Sequence, residues 1–135
     1  MILKKKLIFV LEDEITGQAV ISMAISSQGG EVILDHWGDR SLTSIRGESR
    51  PFDLLVLDLM LPGRKTGYDI LAEIRKLDHM KDVPVVIVSG ADPDIEVPRA
   101  QERGVNGFIC KPIDRSQFPH QLLSIIEGGE YWDEG

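Results

Sequence analysis

The chain has 135 residues, 42% of them hydrophobic and 27% charged, with a net charge of −7. That suits one soluble globular domain, and the acidic balance argues against unaided binding to nucleic acid. No apolar run approaches the roughly 18 residues of a membrane span, and the one cysteine, Cys110, excludes an internal disulfide.

The chain opens with Lys4-Lys5-Lys6, read as a solvated strand entry, and an apolar strand over about 6–12. That strand is too short for a signal-peptide core and runs into Glu12-Asp13-Glu14, so a cytoplasmic protein with no membrane partner is expected. Ile15, Ala19, Val20, Met23, Ala24 and Ile25 recur at helical spacing through about 15–28, and Gly29-Gly30 ends that helix. A short strand over 31–34 and a short helix over 41–46 follow. Residues 53–58 form the next strand, and Ile70, Leu71, Ile74 and Leu77 mark a helix over about 67–77. A strand over 84–89 precedes a helix over about 94–103 that Gly104 closes. Pro93 and Pro98 fall in that helix, and an interior proline breaks or kinks a helix, so a short or displaced helix is expected there. A strand over 107–110 and a last helix over about 115–127 complete the pattern. The acidic, glycine-rich stretch 128–135 is expected to fray.

Five strand-helix units at this spacing predict an α/β fold with a parallel sheet covered on both faces. Right-handed crossovers leave few topologies. We expect the flavodoxin-like, doubly wound order 2-1-3-4-5 with about five helices, as one domain spanning 1–135 with its core over about 5–127.

In such a sheet the carboxyl ends of the strands share one edge, where ligands bind. Four apolar strands here deliver a polar group to that end: Glu12-Asp13, Asp58, Ser89 and Lys111. Strands 1 and 3 are neighbours in this order, so Glu12, Asp13 and Asp58 meet at the switch point. Carboxylates so gathered must be protonated or neutralised by a cation. Oxygen ligands without nearby His or Cys favour a hard ion such as Mg²⁺. Lys111 adds a positive charge and Ser89 a hydroxyl, which together make a phosphoryl-binding set. A central carboxylate can be a nucleophile and form an acyl phosphate, and Asp58 is the best candidate. Singly, each residue has a plainer reading: a helix-start acidic cluster, a turn aspartate, a solvated loop lysine. His36, His79 and His120 are read as surface residues and Trp37 and Trp132 as packing or tail residues.

Four motifs in order (Glu12-Asp13, Leu57-Asp58-Leu59-Met60-Leu61-Pro62-Gly63, Ser89-Gly90-Ala91 and Lys111-Pro112) make the chain resemble the response-regulator receiver domains of two-component signalling over about 5–127. The resemblance implies that Asp58 accepts a phosphoryl group from a histidine kinase or phosphotransfer protein. It implies Mg²⁺ held by Asp13, Asp58 and the backbone carbonyl of Met60, with Glu12 acting through water. It implies that Ser89 bonds the phosphoryl oxygens and Lys111 pairs with them. Phe108, three residues before Lys111, matches the aromatic switch position, and movement of Ser89 would let Phe108 rotate inward. The output would be a protein-binding surface around helix 4, strand 5 and helix 5, reaching a separate target protein. A homodimer through that face stays open.

The chain departs from the pattern at Glu12, Ser89 and Ile113, and the loop Arg64-Lys65-Thr66-Gly67 is one residue longer than usual. An ordinary enzyme is not expected. Two alternatives remain: a pseudo-receiver that ignores phosphate, against which all the site residues speak, and an aspartate-based phosphatase, against which Met60 stands where a second aspartate is wanted. A nucleotide site would want a glycine-rich loop after the first strand, and Glu12-Asp13-Glu14-Ile15-Thr16-Gly17 is not one.

Overall fold

A computed structural model describes residues 1–35, 41–59 and 66–134. Strands β1 (Leu7–Leu11), β3 (Leu54–Leu57) and β4 (Val85–Ser89) are apolar up to Ser89 and buried along their whole length. This is what a parallel strand covered on both faces requires. Strand β2 (Glu31–Asp35) flanks β1 and is less buried. Strand β5 (Gly107–Cys110) lies beyond β4. The sheet order is β2-β1-β3-β4-β5-β6, all parallel, so the expected doubly wound α/β order is present and is extended by one strand.

Side chains alternate across the sheet and feed two apolar layers. One layer joins Phe9, Leu55, Ile87 and Phe108 to α3 (Gly67–Ile74) and α4 (Pro93–Glu102). The other joins Ile8, Val56, Val86 and Ile109 to α1 (Ile15–Ser26) and α5 (Phe118–Ile126). Helix α2 (Ser41–Gly47) places Ile45 in the first layer.

Three expectations need correction. The stretch after α5 does not simply fray: Tyr131–Trp132 form β6, parallel to β5. Helix α4 is neither short nor displaced. It starts at Pro93, capped by the Asp92 side chain on Asp94 N at 3.0 Å, and runs through Pro98 to Glu102. Pro98 frees the carbonyl of Asp94, but both residues face solvent, where water can take the hydrogen bond. Helix α5 begins at Phe118 rather than near 115, because the Asp114 carboxylate accepts from Ser116 N and Gln117 N and holds 114–117 in a turn.

Candidate functional site

The carboxyl ends of β1, β3, β4 and β5 converge on one edge. Strand β1 delivers Glu12, whose residue is 1% exposed, and β3 delivers Asp58 at 4%. Ser89 ends β4 and is fully buried. Its hydroxyl accepts from Ala91 N at 3.1 Å, which fixes the turn after β4. Lys111 follows β5, and its N–H donates to Ser89 O at 2.9 Å, extending the β4–β5 pairing. From there Lys111 Nζ reaches Glu12 Oε1 at 2.5 Å and Asp58 Oδ2 at 3.1 Å. Asp13 is half-buried beside them, one residue past Glu12.

Burial sets the electrostatics. Glu12 is pushed up to about 7, first by burial and then by its hydrogen bond with Asp58, while Lys111 opposes the rise. Burial pulls Lys111 down, but Glu12 and Asp58 outweigh it and hold the ammonium above its ordinary value. The edge therefore keeps one firm cation between two carboxyl groups, one of which takes a proton near neutrality.

Two glycines shape this edge, and sequence reasoning did not single them out. Gly17 lies on the first turn of α1. A Cβ there would fall 3.2 Å from Glu12 Cγ, 2.9 Å from Cδ, and closer still to Oε1. Glycine in a helix costs up to about 1 kcal/mol relative to alanine, and here it opens the notch in which the Glu12 side chain lies. Gly67 opens α3, where a Cβ would meet the Asp58 carbonyl oxygen at 2.5 Å. Its N–H donates to Leu59 O at 3.3 Å. Thr66 and Asp69 cap the same helix reciprocally, so α3 is anchored against the backbone of the strand that carries Asp58.

Of the residues expected at the site, the structure brings Glu12, Asp58 and Lys111 into contact and puts Ser89 and Asp13 on the same edge. Met60, Arg64 and Lys65 lie outside the described residues, as do His36 and Trp37. Among the described residues no three acidic or histidine side chains are gathered into a metal-holding cluster. The donors suit a hard divalent cation in kind: Glu12 Oε2 is buried without a hydrogen-bond partner, and the carboxylates here supply only oxygen. Phe108 is fully buried in the apolar layer that includes Ala100 of α4. His79 and His120 are exposed, as expected.

Beside the edge, a groove of about 330 Å³ runs along α1, lined by Gly17, Val20, Ile21, Lys111 and Ile113 among others. Helix α1 carries no charged residue, and Ile15 and Met23 are exposed on it.

The response regulator receiver domain family matches residues 8–123, and the chain belongs to that family. The transcriptional regulatory protein AfsQ1 of Streptomyces coelicolor is 28% identical over 123 residues, covering 91% of this chain and 52% of AfsQ1. The chain thus spans about half the length of that relative. The phosphorylated cyanobacterial phytochrome response regulator RcpA is similar in structure, with TM-score 0.69 and 30% identity, over 91% of this chain and 89% of RcpA. The receiver domain of the sensor histidine kinase PA1611 from Pseudomonas aeruginosa PAO1 shares the fold, with TM-score 0.78 and 24% identity, over 91% of this chain and 98% of that one. That structure has a magnesium ion coordinated in its active site cleft. No helix among the described residues is long and apolar enough to cross a membrane.

Proposed function

We propose that this chain is a phosphoacceptor in a histidine-to-aspartate phosphorelay, with Asp58 as the acceptor. The observation that carries the reading is the bridge from Lys111 Nζ to Glu12 Oε1 and Asp58 Oδ2, with the Ser89 hydroxyl on the neighbouring strand end. A carboxylate oxygen of Asp58 attacks the phosphorus of a phosphohistidine. The new P–O bond forms as the P–N bond breaks, and the imidazole leaves and takes up a proton. Lys111 pairs with the phosphoryl oxygens and leaves Glu12 to do so. Ser89 turns its hydroxyl toward the new anion. Hydrolysis by water later returns the carboxylate and inorganic phosphate, with no turnover of an external substrate, so the chain acts as a switch rather than as an ordinary enzyme.

Mg²⁺ would be held by Asp13, Asp58 and the carbonyl of Met60, with Glu12 through water, and would supply charge neutralisation for the incoming phosphoryl group. Helix α1, uncharged and with Ile15 and Met23 exposed, suits an apolar helical surface on the phosphohistidine donor. The output surface lies around α4, β5 and α5. Ser89 and Phe108 carry the change to that surface, Phe108 from its buried place on β5. A protein target reads this surface, and the setting is the cytoplasm.

Intact mass after incubation with acetyl phosphate and Mg²⁺ tests the reading. One phosphoryl adduct on wild type, absent from Asp58→Asn and without metal, is the expected result. No adduct with any donor would instead favour the pseudo-receiver, which binds partners in its unmodified form.

A further inference from the structure

The last strand has a purpose-built seat. Tyr131 N donates to Asn106 O at 3.2 Å and Asp133 N to Phe108 O at 2.8 Å. In return, Cys110 N donates to Asp133 Oδ2 at 3.1 Å. The two side chains of β6 straddle the sheet: Tyr131 packs with the α1–α5 layer and Trp132 with the layer that holds Phe108. Glycines make the close approach. A Cβ on Gly107 would lie 2.8 Å from Tyr131 O and 2.7 Å from Ile125 Cδ1. The turn that brings the chain back uses Gly128 at φ +99°, and a Cβ on Gly129 would stand 2.8 Å from Ser124 O. A casual contact of a frayed segment would not need these features together.

The seat is also wired to the phosphoacceptor edge. Cys110, held by the Asp133 carboxylate, directly precedes Lys111. Lys111 is the residue that changes partners when Asp58 gains a phosphoryl group. Its N–H is tied to Ser89 O, so both groups that answer the new anion pull on the end of β5. Hydrogen bonds weaken steeply as their geometry degrades, and the bond from Cys110 N to Asp133 is the one nearest to that movement.

We infer that β6 is an autoinhibitory latch. Seated, it covers the edge of β5 that would otherwise be open to strand addition by an extended segment of a partner. Phosphorylation of Asp58 shifts it toward release and uncovers that edge. The inference rests on the phosphoacceptor reading and names the element that carries its output.

Amide hydrogen exchange on the full chain tests it, with Mg²⁺ and beryllofluoride as the acyl-phosphate mimic. Opening the latch should raise exchange at the Tyr131 and Asp133 amides by roughly tenfold, the sign of a local opening equilibrium shifted by one decade. Asp133→Ala, which removes the carboxylate bonded to Cys110 N, should show the faster exchange without the mimic. Asp58→Asn should show no response to it. If amides around Ser89 and Lys111 respond while Tyr131 and Asp133 keep their protection, the latch is refuted and the phosphoacceptor stands. If neither region responds and no adduct forms, both readings fall together.

Discussion

At the amino ends of the strands, Arg50 bridges Glu31 and Glu48. At the carboxyl ends, Lys111 bridges Glu12 and Asp58. Both are one cation between two carboxylates, and they differ in burial. Arg50 and Glu31 are more than half exposed, at 51% and 58% of their side chains. Their carboxylates behave as simple partners, with Glu31 and Glu48 both held below the ordinary range by hydrogen bonds to Arg50. Glu12, almost without exposure, moves the other way, up to about 7. The same charges give a solvated clamp at one edge and a buried, proton-holding site at the other. Desolvation, rather than the number of charges, sets the carboxyl edge apart.

Removing the central cation should separate the two edges most. Lys111→Ala leaves Glu12 and Asp58 buried without their counter-ion. We expect a loss of about 1–3 kcal/mol at pH 8, moderated because Glu12 can take up a proton and Lys111 is partly exposed. Urea denaturation at pH 8 and at pH 6 should show the smaller loss at pH 6.

The wild type should carry a related pH signature. The folded-state pKa of Glu12 is raised above its ordinary value of 4.5 to about 7. The folded protein therefore holds that proton more tightly than the unfolded chain does. Stability from this group is fully present below about 4.5 and is lost as pH rises through 7. Between pH 8 and pH 5 the urea midpoint of the metal-free protein should rise as pH falls, and Glu12→Gln should flatten that slope. A Glu12→Gln profile as steep as wild type would mean that another group is responsible.

Gly17→Ala sharpens the comparison further. In an ordinary helix this change stabilises, by up to about 1 kcal/mol. Here the new Cβ displaces the Glu12 side chain, and overpacking of this kind costs about 1–3 kcal/mol. A net destabilisation of about 1 kcal/mol is expected, recovered in Gly17→Ala/Glu12→Asp because the shorter carboxylate clears the notch. Tyr68→Phe should cost a similar or smaller amount, about 0.5–1.5 kcal/mol. It removes the hydroxyl bond to Glu96 Oε2 at 3.1 Å that ties α3 to α4, while keeping the ring under Arg103. Arg50→Ala is the smallest effect: an exposed clamp contributes little, and no resolved change in the urea midpoint is expected.

The sheet and the polar groups at its carboxyl ends were legible because buried parallel strands read as unbroken apolar runs. The residue that ends each run is then fixed in space by the sheet order. Glu12, Asp58, Ser89 and Lys111 are therefore placed by pattern alone. What pattern did not supply depends on packing in three dimensions. Gly17 sits in a sequence that reads as an ordinary helix start, and its importance lies in a side chain five residues earlier. Gly107 and the Gly128-Gly129 turn gave no sign that a two-residue strand would be seated after them, since Tyr131-Trp132 is too short to show a period. Pro98 misled because the rule against interior prolines assumes that the freed carbonyl is buried, and in α4 it faces solvent. Phe108 was readable as a core residue by type, but not its place beside Trp132.

The central claim is that Asp58 receives the phosphoryl group. Borohydride reduction of the phosphorylated chain, followed by peptide mapping, reads this directly, since an aspartyl phosphate is reduced to homoserine while free carboxylates are not. The account predicts homoserine at position 58 and no reduced side chain at any other acidic residue. Homoserine at Asp13, 2-amino-5-hydroxypentanoic acid at Glu12, or a phosphoryl adduct that yields no reduced side chain, would contradict it.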